Sequence, residues 1–110
     1  LIGKNTEAGG WAMVLWGIPF RLVVVYHVTW LVNSATHCWG NVAFDSGDGS
    51  KNNWWVAALT FGEGWHNNHH AYPSSARQGL FKGQIDLTWQ HIRFLNALGL
   101  ATKIRLPMKP

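Results

Sequence analysis

From Trp11 to Phe44 the chain carries a single charged residue, Arg21, and its run WAMVLWGIPFRLVVVYHVTWLV is long enough for the roughly 20 residues that cross a bilayer. Gly17 and Pro19 interrupt that run, and proline removes a helix donor and clashes with the preceding turn. The pattern therefore predicts the tail of one membrane helix near Trp11 to Trp16, a tight connection at Gly17 to Pro19, and a second membrane helix from about Phe20 to Trp39. A buried helix of a soluble protein fits the same run, because Arg21, His27, Asn33 and His37 are polar for a plain span. Position answers part of that objection. Arg21 lies at the start, where it can snorkel, and Asn33 and His37 lie at the far end, where a site has use for them.

Polar character then takes over. Asp45 to Asn53, DSGDGSKNN, reads as a turn-rich loop whose Gly, Asp, Asn and Ser residues compete for backbone hydrogen bonds. Trp54 to Gly64, WWVAALTFGEG, is apolar and then broken by Gly, which predicts an interfacial helix led by paired Trp, with a strand as the alternative. After a histidine cluster and the loop YPSSARQG, the apolar residues Ile85, Trp89, Ile92, Leu95 and Leu98 recur at helical spacing. Asp86 and Gly99 bracket this amphipathic helix in the expected polarity. The sum is an all-α chain. Residues 1–39 form a membrane-helix region, and residues 40–110 form a cytosolic or interfacial helical cap that carries a His-rich site.

Composition changes this picture in three ways. Eight Trp among fifteen aromatic residues suit rings at a membrane boundary or along an acyl slot. The formal charge of +4 comes from nine Lys and Arg scattered singly, without the basic run that nucleic-acid binding would need. Most of these follow the apolar stretch, as in a cytoplasm-facing tail. The single cysteine, Cys38, excludes an internal disulfide and a Cys-rich zinc site, and places the chain on a reducing side. A start at Leu1 without a signal-peptide pattern suggests a fragment of a longer chain.

The candidate chemistry centres on WHNNHH. On a helix, offsets of three and four put the imidazoles of His66, His69 and His70 within about 60° of one another, a face that can hold metal. Neutral imidazole without thiolate or many carboxylates narrows the metal toward iron or zinc. Asn33 and His37 in NSATH are four residues apart and share a helix face; a helix–helix hydrogen bond explains the pair as well as ligation does. Glu63 is the acid nearest the cluster, able to accept an imidazole N–H or to ligate directly. Zincin chemistry needs a Glu between the histidines, where Asn67 and Asn68 stand instead. His27 and His91 read as structural, since neither aligns with a second ligand. Nothing resembles a serine-nucleophile turn or a phosphate-binding Gly loop.

GEGWHNNHHAYPSSARQG, preceded by HVTWLVNSATHCWG and followed by QIDLTW and LGLAT, resembles the C-terminal third of the membrane acyl desaturases of the stearoyl-CoA and delta-9 acyl-lipid type. HNNHH is similar to that family's third histidine box, and NSATH to its additional Asn/His pair. The resemblance implies two Fe ions, with His37, His66, His69 and His70 as ligands and Asn33 acting through a water. It implies that Trp30 and Thr29 line an acyl tunnel, where shape alone can orient a methylene chain. It also implies O2 as co-substrate, an acyl-CoA or acyl-lipid substrate, and ferredoxin or cytochrome b5 as electron donor. The catalytic face would be cytoplasmic, on an endoplasmic-reticulum, plastid or bacterial membrane. The family's first two boxes, HXXXXH and HXXHH, do not occur in these residues, so the 110 residues alone are expected to be inactive. A related His-box hydroxylase and a non-catalytic His-rich membrane module are the competing readings.

Overall fold

The computed structural model describes residues 7–107, and these residues are helical with no strand. Five α-helices follow in order: α1 (Glu7–Leu15), α2 (Arg21–Cys38), α3 (Trp54–Leu59), α4 (His66–Ala71) and α5 (Leu87–Ala97). The chain divides into two compact units, Leu1–Trp30 and Leu31–Pro110.

In the first unit the expected break at Gly17 to Pro19 does not occur. Trp16–Phe20 forms a π-helical turn between α1 and α2, so that one helix of 30 residues runs from Gly9 to Cys38. The Arg21 N–H reaches back five residues to the Trp16 carbonyl. That wide turn moves aside the carbonyls the Pro19 ring would strike, and proline has no N–H to leave orphaned. Every residue from Met13 to Trp30 is exposed, and two of the polar side chains among them bond to the helix itself. Thr29 donates its hydroxyl to the Val25 carbonyl at 2.9 Å, and His27 Nδ1 meets the Val23 carbonyl at 2.7 Å, each one turn back. Polar side chains bonded in this way do not disqualify an apolar span.

The second unit is held together as much by amides as by apolar packing. Val32, Ala35 and Val56 form a small core with Leu31 and Trp55 against it. The buried polar residues include Thr36, Ser50, Asn52, Asn53, Thr60, Asn67, Asn68 and Asp86. Asn53 caps α3 by accepting the Val56 N–H, gives its own N–H to the Gly64 carbonyl at 2.7 Å, and accepts the Ala57 N–H on its carbonyl. Asn52 and Asn41 exchange both backbone bonds, at 2.7 and 2.9 Å. At Gly64 two backbones nearly touch: a Cβ there would lie 2.0 Å from the Ala57 nitrogen. Asp86 caps α5 through the Trp89 N–H and also accepts the N–H groups of Gln78 and Gly79, so the loop after α4 is fastened to the start of α5. Gly99 closes α5 at φ 73°, as its sequence position predicts.

Candidate metal centre

The position of α4 is set by the two asparagines between its histidines. Asn67 is fully buried; its Oδ1 accepts the N–H groups of Ala43 and Phe44, both at 2.8 Å. Its Nδ2 donates to the Phe44 carbonyl and to the hydroxyls of Ser46 and Ser50. Asn68 faces a second loop: its Nδ2 donates to the Gln78 carbonyl and to Gln84 Oε1, while its Oδ1 accepts from Asn52 Nδ2 at 2.6 Å. Buried amides with all their bonds made are costly to displace, so these two residues fix the rotation of α4. Sequence reading saw them only as occupants of the space a zincin Glu would need.

With α4 so fixed, His66 and His70 bring their Nε2 atoms to 3.0 Å of each other. His37, in the last turn of α2, sets its ring 5.3 Å from that of His66 and 5.9 Å from that of His70. One nitrogen from each of the three lies within 4.8 Å of the others. Metal–imidazole bonds of about 2.1 Å place neighbouring ligand atoms about 3 Å apart, so the trio is close to what one ion needs. The ligand chemistry fits iron or zinc, with no thiolate among the donors.

His69 stands outside the trio, its ring 6.2 Å from that of His66 and 5.7 Å from that of His70. Glu63 accepts a hydrogen bond from Gln78 Nε2 at 2.8 Å. Asn33 is exposed on α2, and Thr29 and Trp30 belong to the exposed stretch of the first unit. His91 is exposed on α5, and Cys38 is exposed at the end of α2.

One contributor was not foreseen. Asp48, in the loop between α2 and α3, pairs through Oδ2 with His70 Nδ1. Its only sequence signal was an Asp inside a turn-forming run. Hydrogen bonds from the Ser46 hydroxyl and then from Ser50 hold its carboxyl well below the usual carboxylate range. Burial, followed by repulsion from His70, His37 and His69, pushes His66 down to about 4, so this imidazole is neutral near pH 7 and its lone pair is open to a cation.

Three imidazoles gathered at one point from two helices, in a chain that also carries one helix long and apolar enough to cross a membrane, define a His-box class of protein. Residues 7–101 match the family model described as fatty acid desaturase, and the chain belongs to that family. It is 64% identical over 99 residues to the sn-1 stearoyl-lipid 9-desaturase of Synechocystis sp., covering 90% of this chain and 31% of the relative. It is 62% identical over 99 residues to the chloroplastic palmitoyl-monogalactosyldiacylglycerol delta-7 desaturase of Arabidopsis thaliana, covering 90% of this chain and 27% of the relative. Against the sn-1 stearoyl-lipid 9-desaturase of Anabaena variabilis it is 59% identical over 101 residues, covering 92% and 37%. The chain thus spans about a third of the length of the curated relatives it matches.

Proposed function

We propose that this chain supplies part of the di-iron centre of an acyl-lipid desaturase that places a cis double bond, at delta-9, in a saturated acyl chain. The observation that carries the reading is the convergence of His37, His66 and His70 within 4.8 Å in a chain that matches the family from residue 7 to residue 101. Iron with dioxygen and two electrons supplies the oxidising power: a CH2–CH2 unit, O2, two electrons and two protons become CH=CH and two waters. His37, His66 and His70 hold one iron, and His69, directed elsewhere on α4, serves the second. Asn33 holds water at the centre, and Glu63 buttresses α4 through Gln78. Trp30 and Thr29 line the acyl path, where an aromatic wall orients a chain that offers nothing to hydrogen bond.

Residues 1–39 form the membrane-helix region in this reading. The stretch from Met13 to Val28, apolar and exposed, lies in lipid, since about 20 residues span the hydrocarbon. The His-bearing residues 40–110 lie on the cytoplasmic face, where ferredoxin or cytochrome b5 delivers electrons. Higher identity to lipid desaturases than to the Anemone leveillei acyl-CoA C20 Delta5-desaturase, at 52%, favours an acyl-lipid substrate.

The test is expression of the complete open reading frame containing these residues in a desaturase-deficient host, with fatty acids read by mass spectrometry. A new cis-monoene that disappears in His69→Ala and His70→Ala supports the reading, and its bond position gives the regiochemistry. Hydroxylated or unchanged chains from an iron-loaded protein overturn it.

A further inference from the structure

The Asp45–Asn53 loop has no part in the chemistry inferred above, yet one of its carboxylates touches the centre. Asp48 Oδ2 pairs with Nδ1 of His70, while the Nε2 of the same ring faces His66. We propose that Asp48 is a positioning residue of the metal centre, accepting the His70 Nδ1–H, fixing that tautomer and turning the Nε2 lone pair toward the ion. This inference rests on the metal-centre reading.

Imidazole has two nitrogens, and a neutral ring keeps its proton on one of them. A carboxylate at Nδ1 claims the proton there and leaves Nε2 as the ligand atom. It also makes that nitrogen a better donor to a cation. Such a partner works only if it is itself held in place, and Asp48 is. Its Oδ1 accepts the Ser46 hydroxyl at 2.6 Å and the Ser50 N–H at 2.9 Å, leaving Oδ2 for the histidine. The circuit then closes on α4. Asn67 Nδ2 donates to the hydroxyls of the same Ser46 and Ser50, at 3.2 and 3.3 Å. The helix that carries His70 therefore also holds the serines that hold its carboxylate.

The test is iron(II) affinity of the complete gene product, measured by competition with a chromogenic chelator, for wild type, Asp48→Asn, His70→Ala and the double variant, with thermal melting alongside. Asp48→Asn is expected to weaken iron binding about 10- to 100-fold at an unchanged melting temperature. In the His70→Ala background the same substitution is expected to add less than about twofold, because its route to the metal is gone. Wild-type affinity in Asp48→Asn overturns the inference, as does an undiminished effect without His70, which would mark Asp48 as a loop staple only. If His70→Ala binds iron as wild type does, the metal-centre reading falls, and this inference falls with it.

Discussion

His66 and His70 stand one helical turn apart on α4 and bring two Nε2 atoms to 3.0 Å, a separation that only a shared proton or a shared cation makes favourable. If the proposed di-iron desaturase reading holds, replacing either of them, or His37, by Ala in the complete gene product is expected to lower bound iron and to reduce desaturation below detection. His91→Ala, on the exposed side of α5, is expected to leave both at wild-type levels. Iron per chain by plasma mass spectrometry and product by gas chromatography read the two quantities separately.

Asn67→Ala removes five hydrogen bonds from a fully buried amide and strands the N–H groups of Ala43 and Phe44. The expected loss is about 2–4 kcal/mol of stability. Ser46→Ala, in a partly exposed loop, is expected to lose about 1 kcal/mol or less. Thermal melting of the detergent-solubilised protein gives the ranking, and equal effects would refute the staple role of Asn67.

Gly64→Ala places a Cβ 2.0 Å from the Ala57 nitrogen and 2.5 Å from the Asn53 carbonyl oxygen, and neither backbone atom can yield without breaking the α3 cap. The variant is expected to fail to accumulate as folded protein. Gly10→Ala, with nothing within 4 Å, is expected to be neutral or stabilising by up to about 1 kcal/mol. Size-exclusion profiles of the two variants make the comparison.

Chelation of iron is expected to abolish activity while leaving helical content intact, because Asn67, Asn68 and Asp86 hold the loops without help from a metal. Iron(II) should restore activity of the complete gene product and zinc(II) should not, since the proposed reaction needs a redox-active ion. Far-ultraviolet circular dichroism before and after chelation checks the first half, and turnover on readdition checks the second.

Local periodicity carried much of this fold. The i, i+3, i+4 spacing of the histidines announced α4, and the bracketing of α5 by Asp86 and Gly99 was readable because caps act within one turn. Pro19 misled, since a proline usually ends a helix and the wide turn that absorbs it leaves no mark in composition. Helical spacing also treated His66, His69 and His70 alike. What separates them is His37, which arrives from a different helix and meets only His66 and His70 closely enough to share a ligand site. The roles of Asp48, Asn67 and Asn68 were illegible for the same reason: Asp48 meets His70 from a separate loop, and the side-chain partners of Asn67 and Asn68 lie 10 to 24 residues away in sequence. No local rule reaches that far.

The loop from Asp45 to Asn53 has the composition of a segment free to vary in length, yet Asn67 ties it at Ser46 and Ser50, and Asn41 and Gly64 tie its far end at Asn52 and Asn53. An insertion or deletion of even one residue there would move Ser46, Asp48 and Ser50 out of register together. Epitope tags and loop swaps, usually safest in such a polar turn, should be directed elsewhere in this chain, and among orthologues this turn is expected to hold its length and to keep Ser46, Asp48 and Ser50 while its remaining positions drift.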